Sequence, residues 1–126
     1  LDENEREQFT KAGTDVQKTL YADIWARENR SWDQLHPDQP GRVEQEYFNR
    51  VDYGNQHYWS PQQEGWETDR GKIFILFGKP DQINRHFTSR HRAPREIWVY
   101  RGIGRRYIFT DPGRTGHFLL EEMEEQ

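Results

Sequence analysis

The spacing of apolar residues changes near residue 71, and this change restricts the folds open to the chain. Before that point, apolar residues recur every three or four positions, a spacing that predicts amphipathic helices. After it, they alternate with polar residues or form short runs, a pattern typical of strands. The sequence therefore predicts a helical part followed by a sheet, which is the order of an α+β fold.

Two helices are predicted in the helical part, which we place at residues 1–59. The first runs from about residue 3 to 27 and is followed by a polar loop over residues 28–41. The second is predicted to have Asp38 as its cap and Pro40 in its first turn, and to end where the helical part ends. The apolar stripes of these helices are Phe9, Ala12, Val16, Leu20 and Ile24 in the first, and Val43, Tyr47, Val51, Gly54 and Tyr58 in the second.

Residues 72–120 are predicted to form an antiparallel sheet of four or five strands, because the connections are too short for parallel crossovers. The run KIFILF at residues 72–77 is apolar on both sides and bounded by Gly78, which predicts a central strand covered on both faces. The fold class that follows is α+β, with two N-terminal helices forming one layer and an antiparallel meander the other. The further strands are expected at about residues 83–87, 96–100, 106–110 and 117–120.

The 126 residues fit one domain. Residues 60–71 connect its helical part to its sheet, and residues 121–126 form an acidic tail that we expect to fray. The first residue is Leu1 rather than Met, so we expect a mature form after removal of a leader, or a domain of a longer protein. No apolar run in this fragment is long enough to span a membrane.

Composition narrows the function classes. Aromatic residues make up 14% of the chain and the net charge is only −4, which together exclude a disordered chain. The absence of cysteine excludes disulfides and thiol nucleophiles. The charge is divided, with −8 on residues 1–69, +8 on residues 70–117 and −4 on residues 118–126. This division predicts either ion pairs across the helix–sheet boundary or a basic surface for an anionic partner.

The basic segment can be interpreted in two ways. A sheet face that carries both arginines and aromatic rings could bind single-stranded nucleic acid or another polyanion. In the competing interpretation, the aromatic rings face the helices and the arginines pair with carboxylates. We favour the second, because proteins that bind nucleic acid are usually basic overall. The residues concerned are Arg85, Arg90, Arg92, Arg95, Arg101, Arg105, Arg106 and Arg114, with Trp98, Tyr100, Tyr107 and Phe109.

Local motifs for metal binding or nucleophilic catalysis are absent. No two histidines have the spacing that places metal ligands on one helical face, and no serine lies in a nucleophile motif. The sequence therefore predicts no metal site and no cofactor. The residues considered are His36, His57, His86, His91, His117, Ser31, Ser60 and Ser89.

The densest local motif is the sequence GWETDRG, which starts at Gly65. Gly65 and Gly71 permit backbone angles that are closed to other residues, and Thr68 and Asp69 can accept hydrogen bonds from backbone amides. A structural interpretation of the motif therefore predicts a turn that opens the central strand. It also predicts a largely buried Trp66 that covers one end of the sheet.

Arg70 extends this motif in one of two ways. In the structural interpretation, its guanidinium pairs with Asp69 or Asp81. In the enzymatic alternative, Asp69, Arg70, Asp81 and His86 form a cleft in which Asp69 is a general acid or base. We favour the first, because a guanidinium beside a carboxylate keeps it ionised, which hinders proton transfer near neutral pH.

The motif resembles the signature of the GWxTD family, a bacterial domain family with no established reaction. The resemblance covers about residues 42–120 and continues through KIFILFGKPD after the motif, EIWVY in the sheet and GHFLL near the end. It implies an exported protein, located in the periplasm, in the cell envelope or outside the cell. The site candidates are Gly65, Trp66, Thr68, Asp69, Arg70, Gly71, Asp81 and Trp98.

Taken together, these observations predict a non-catalytic interaction or structural module. Its partner is expected to be another protein or a neighbouring domain rather than nucleic acid. Contact would be made through an aromatic-rich surface or an exposed strand edge. The alternatives are the enzyme with the four-residue cleft and a sheet that binds polyanions.

Overall fold

The computed structural model describes residues 14–38 and 41–126, without the side chains of residues 14–22, 29 and 33. Among the helices of this part, none is long and apolar enough to cross a membrane. The described helices are α1 (Thr14–Leu35), α2 (Arg42–His57) and α3 (Asp69–Phe77), and the strands are β1 (Gln82–His86), β2 (Arg95–Tyr100), β3 (Arg105–Thr110) and β4 (Leu119–Glu125). Short 3₁₀ turns occupy Gly65–Glu67 and Arg101–Ile103.

The four strands form one antiparallel sheet in the order β1-β2-β3-β4. Each strand pairs with the next along the chain, so the sheet is a meander. Trp98 on β2 stands opposite Tyr107 on β3, and the register between β3 and β4 shifts at Ile108 and Phe109. The α+β class and the antiparallel sheet are therefore confirmed.

The core lies between the helices and one face of the sheet. Trp98 and Phe109 have no exposed surface, and their ring centroids are 4.9 Å apart. Tyr58, which follows α2, packs on Trp98 with a centroid distance of 5.2 Å. The interpretation that turns the aromatic residues of β2 and β3 toward the helices is confirmed. The buried residues of this cluster are Tyr58, Ile73, Phe74, Trp98, Tyr100, Tyr107, Phe109 and Phe118.

The predicted central strand at residues 72–77 is wrong, because these residues form most of α3. Every residue from Gly71 to Leu76 is buried, including Lys72, so the helix has no exposed face and the run shows no helical period. The helix ends at Gly78, whose φ of 77° suits glycine. Helices therefore extend through the middle of the chain up to residue 77, and the prediction of two N-terminal helices is too simple.

The first helix ends later in the chain than predicted. Residues 28–35, expected in a loop, continue α1 to Leu35. The second helix begins at Arg42 after Gly41, whose φ of 73° is left-handed, so Asp38 is not its cap. Ile24 of the predicted stripe is buried, with 4% of its surface exposed. The side chains of the other stripe residues, Phe9, Ala12, Val16 and Leu20, and the predicted first-turn residue Pro40 lie outside the described part.

The stripe predicted for the second helix is confirmed. Gly54 and Tyr58 are buried, and Val43, Tyr47 and Val51 are half-buried. Tyr47 and Val51 pack against a second apolar cluster that contains Ile24 and residues of α3. This stripe therefore packs α2 against both α1 and α3.

The acidic tail does not fray as predicted, because residues 121–125 belong to β4. The Arg106 guanidinium contacts the Glu124 carboxylate, and Arg105 Nη2 lies 3.8 Å from Glu125 Oε1. Opposite charges on paired strands stabilise their pairing. The tail is therefore the fourth strand of the sheet.

Four arginines of the basic segment do not pair with carboxylates of residues 1–69, as the division of charge had predicted. Arg105 and Arg106 pair with the acidic tail, while Arg70 and Arg85 both contact Glu96 within the basic segment. The prediction that such pairs join the helices to the sheet is therefore wrong for Arg85, Arg105 and Arg106, whereas the Arg70–Glu96 pair does join α3 to β2.

Candidate functional site

Three glycines bring α2, the 3₁₀ turn and α3 into direct backbone contact. A Cβ atom on Gly65 would lie 1.8 Å from the carbonyl oxygen of Gly54, and one on Gly71 would lie 1.7 Å from that of Gly65. The positive φ angles of this chain's glycines occur elsewhere. Gly65 and Gly71 are thus required by close packing, whereas the sequence suggested unusual backbone angles.

Thr68 caps α3. Its Oγ1 accepts a hydrogen bond from the Gly71 amide at 3.0 Å. It lies 2.9 Å from the carbonyl oxygens of both Tyr58 and Gly65, which share its single hydroxyl hydrogen. Only 2% of the residue is exposed. The predicted bond from Thr68 to a backbone amide is confirmed, although the turn opens a helix instead of a strand.

Trp66 is half-buried, so the prediction of a largely buried side chain is wrong in degree. Its backbone amide donates to Asn55 Oδ1 at 2.8 Å, and its indole Nε1 donates to Glu64 Oε2 at 2.7 Å. The ring packs against the cluster of Ile24, Ile75 and Leu76. Trp66 therefore packs against helices α1 and α3, and not against the end of the sheet as predicted.

Asp69 joins the first turn of α3 to the sheet. Its Oδ2 accepts a hydrogen bond from the Leu120 amide at 2.7 Å, close to the register shift between β3 and β4. A carboxylate in the first turn of a helix is also favoured by the helix dipole. The predicted bond to a backbone amide is confirmed, but the amide belongs to β4.

Arg70 is the second connection between α3 and the sheet. Its Nη1 lies 3.2 Å from Glu96 Oε2, and its guanidinium carbon lies 4.2 Å from the Phe118 ring centroid and 5.2 Å from that of Tyr58. The predicted partner, Asp69 or Asp81, is wrong. Burial lowers the pKa of the Arg70 guanidinium, and the charges of Glu96 and Tyr58 oppose this shift.

Glu96 and Trp98 complete the same network on β2. The indole Nε1 of Trp98 donates to Glu96 Oε1 at 2.8 Å. Tyr58 stands beside this carboxylate, and its pKa is raised by burial first and by the neighbouring Tyr53 and Glu96 second. Trp98 is thus a core residue, and Glu96, which the sequence did not single out, is the centre of the network.

The four residues of the enzymatic alternative do not meet. Asp81 Oδ2 accepts from the Arg101 amide at 2.7 Å just before β1, while His86 ends β1 and is exposed. The five residue steps from Asp81 to His86 along the strand span about 17 Å. The other two, Asp69 and Arg70, are bound to Leu120 and Glu96 as described above.

A groove of about 740 Å³ opens between α1 and α2. Trp25 stacks on Tyr47 with a centroid distance of 5.3 Å, and the guanidinium carbon of Arg50 lies 5.4 Å from the Trp25 ring. The sequence did not point to this groove, because Trp32 was assigned to a loop. The lining residues are Ile24, Trp25, Glu28, Trp32, Arg42, Val43, Gln45, Glu46, Asn49, Arg50, Leu76 and Phe77. We call this surface the helix groove.

Arg50 fixes one side of the helix groove. Its Nε donates to Glu46 Oε1 at 2.8 Å, and its Nη1 donates to the carbonyl oxygens of Ile75 and Leu76 at 3.0 and 3.3 Å. These carbonyls end α3 and lack partners within the helix. Arg50 therefore ties the end of α3 to α2.

The fold and the contacts of residues 65–71 define an α+β domain. In it, the buried helix α3 begins between two closely packed glycines and is bound to a four-stranded sheet. The family model of the GWxTD domain matches residues 3–116, and the chain therefore belongs to this family. No curated protein and no solved structure shows significant similarity to it.

Proposed function

We propose that this domain is a non-catalytic interaction module of an exported bacterial protein. Its helix groove receives an amphipathic helix of a partner protein or of a neighbouring domain. The observation that carries the proposal is the composition of the groove, with an apolar floor and a charged rim.

The floor and rim have the composition of a protein interface. The half-buried residues Trp25, Val43 and Phe77 provide apolar surface. Trp32 lies 5.7 Å from the guanidinium carbon of Arg42. Protein interfaces combine an apolar centre with a polar rim, and Trp and Arg contribute much of their binding energy. The groove thus favours a protein ligand.

A helix is the occupant that fits this shape. The groove lies between two consecutive helices joined by a short connection, and such grooves accept the apolar face of a third helix. Charged side chains of both signs line the groove, with Glu28 on α1 and Arg42 and Glu46 on α2. An amphipathic helix has charged flanks beside its apolar stripe.

The non-catalytic part of the proposal is supported by the use of the motif. Thr68 caps a helix, Asp69 binds a backbone amide, and Arg70 is held by a carboxylate and two rings. The polar groups of the motif are therefore engaged in structure. Export is supported by the family resemblance of the sequence.

Photo-crosslinking of the full-length protein in its native host tests the groove. A benzophenone side chain at Gln45, which lines the groove, should give one discrete adduct, and mass spectrometry should map it to an amphipathic helix. The matched control is Gln56, which is exposed on α2 outside the groove. Equal adducts from both positions, or none from Gln45, would contradict the proposal.

A synthetic peptide of the mapped helix then provides the quantitative test. Asn49→Trp should fill the groove and weaken peptide binding about tenfold or more, whereas Gln56→Trp should leave it unchanged. Export is tested separately by fractionation of cells that carry the full-length protein. Recovery in the cytoplasm alone would refute export without affecting the groove.

A further inference from the structure

A second concave surface lies at the end of the sheet where β1 stops and β2 starts. It encloses about 270 Å³ and is lined by His86, Ser89, Arg92, Ala93 and Arg95. These five residues, which we call the arginine pocket, include none of the eight site candidates. The helix groove is formed by other residues, so the two surfaces can be tested independently.

The loop that forms the pocket is held in place by hydrogen bonds. Ser89 Oγ accepts from the amides of His91 and Arg92, each at 3.2 Å. From outside the pocket, Arg114 Nη2 donates to the carbonyl oxygens of Ser89 and Arg92 at 3.0 and 2.8 Å. The lining is therefore ordered before a ligand arrives, which reduces the entropic cost of binding.

The pocket is strongly basic. Residues 85–95 contain four arginines, two histidines and no carboxylate. Arg85 contacts the buried carboxylate of Glu96. Thr110 is paired with Arg95 in the sheet and contacts Glu121. His86, Arg92 and Arg95 line the pocket itself. Its lining thus carries donors and positive charge without a carboxylate.

Arg95 lacks an acceptor that its position requires. Its Nε is buried and has no hydrogen-bond partner in the described part of the chain. A buried donor without an acceptor is unfavourable, and the cost is higher for a charged group. Arg95 also lines the pocket, so its positive charge acts on an anion bound there.

We propose that the arginine pocket binds a phosphate group, either as inorganic phosphate or as a phosphate monoester. The planar guanidinium groups of Arg92 and Arg95 suit the oxygens of phosphate, and the Ser89 hydroxyl has a hydrogen to donate. The volume is below the ~300–1,000 Å³ typical of pockets for drug-sized ligands. This size favours a single anionic group over an extended molecule.

Titration of the purified full chain with inorganic phosphate, followed by ¹H–¹⁵N NMR, tests the site. Amide signals from Ser89 to Ala93 should shift and saturate, and Arg95→Gln should weaken binding about ten- to a hundredfold. Arg90→Gln removes the same charge from the same loop outside the lining and should change the affinity less than about twofold. Arg95→Lys keeps the positive charge but lacks the planar guanidinium group. Its phosphate affinity should lie between those of Arg95→Gln and Arg90→Gln.

Two further arms separate the sources of the phosphate group. Tighter binding of methyl phosphate than of inorganic phosphate would identify a monoester, and the reverse would identify the free ion. Equal losses in the Arg90 and Arg95 variants would overturn the proposal, because they would show a diffuse charge effect. Saturable single-stranded DNA binding with a steep salt dependence, without a phosphate response, would also overturn it. Preserved amide spectra of each variant confirm its fold.

Discussion

Arg70 Nη1 lies 3.2 Å from Glu96 Oε2, and the two side chains are only 11% and 4% exposed. The pair joins the first turn of α3 to the second strand across 26 positions of the chain. Because both groups are removed from water, each requires the other to offset its lost hydration. Arg70, which directly follows the GWxTD signature, therefore belongs to the packed interior together with Glu96.

Arg70→Ala should lower the free energy of unfolding by about 3–5 kcal/mol, because it leaves the Glu96 carboxylate buried without this partner. Arg85→Ala is the matched control. Its Nε lies 3.7 Å from the same carboxylate, but its side chain is 57% exposed, so the expected loss is only about 0–1 kcal/mol. Urea denaturation measures both, and equal losses would contradict the assigned role of Arg70.

Gly65→Ala should destabilise the domain by about 1–3 kcal/mol or more, because the new methyl group would overlap the Gly54 carbonyl and only backbone movement could relieve it. Gly102→Ala is the control, since its new Cβ would meet nothing within 4 Å. We expect a change within about 0.5 kcal/mol there. Thermal unfolding distinguishes the two, and a tolerated Gly65→Ala would refute the close contact.

Asp69→Ala should speed hydrogen exchange of the Leu120 amide about tenfold or more, because this amide loses its charged acceptor. Asp69→Asn keeps an acceptor oxygen and should have a smaller effect. The amide of Asp81, which donates to the Val99 carbonyl at 2.8 Å, provides an internal reference. Unchanged exchange at Leu120 in Asp69→Ala would show that the bond does not protect it.

Tyr100 should make the domain less stable at alkaline pH. Burial raises the pKa of its hydroxyl, which donates to the Gly78 carbonyl at 2.8 Å. Above about pH 10 the unfolded chain loses this proton while the folded chain keeps it. Stability therefore falls as pH rises, by up to about 1.4 kcal/mol per pH unit for this group.

Tyr100→Phe tests this dependence. At pH 8 the variant should be about 1 kcal/mol less stable than the parent, because one hydrogen bond is lost. Above about pH 10 the difference should shrink and then reverse. Tyr53→Phe, at a side chain that is 43% exposed, is the control. A Tyr100→Phe curve parallel to that of the parent through pH 11 would contradict this assignment.

Helices and strands with one face in the core and the other in solvent were predictable from the sequence. The stripe from Val43 to Tyr58 has a clear helical period because α2 meets the core on one side only. The hairpin of β2 and β3 was equally clear. Helix α3 was not predictable, because its burial removes the helical period and a run of five apolar residues, Ile73 to Phe77, then suits a strand as well. The cap at Thr68 was the available signal of a helix.

The candidate site was predictable only in its local part. Thr68 and Asp69 were expected to bind backbone amides, and they do. The partner of Arg70 could not be found, because Glu96 lies 26 positions away and nothing in the chain marks it. The last strand was predicted only to residue 120, because the four glutamates that follow resemble a solvated tail, although the arginines of β3 offered cross-strand partners.

The bond from Asp69 to Leu120 also bears on synthesis by the ribosome. It joins residues 51 positions apart, and Arg70 stacks on Phe118 over a similar separation. Helix α3 therefore emerges well before the strand that fastens it, with its apolar surface still uncovered. Contacts this distant in sequence form slowly and favour capture by chaperones. A nascent chain stalled before residue 118 should thus remain protease-sensitive throughout α3.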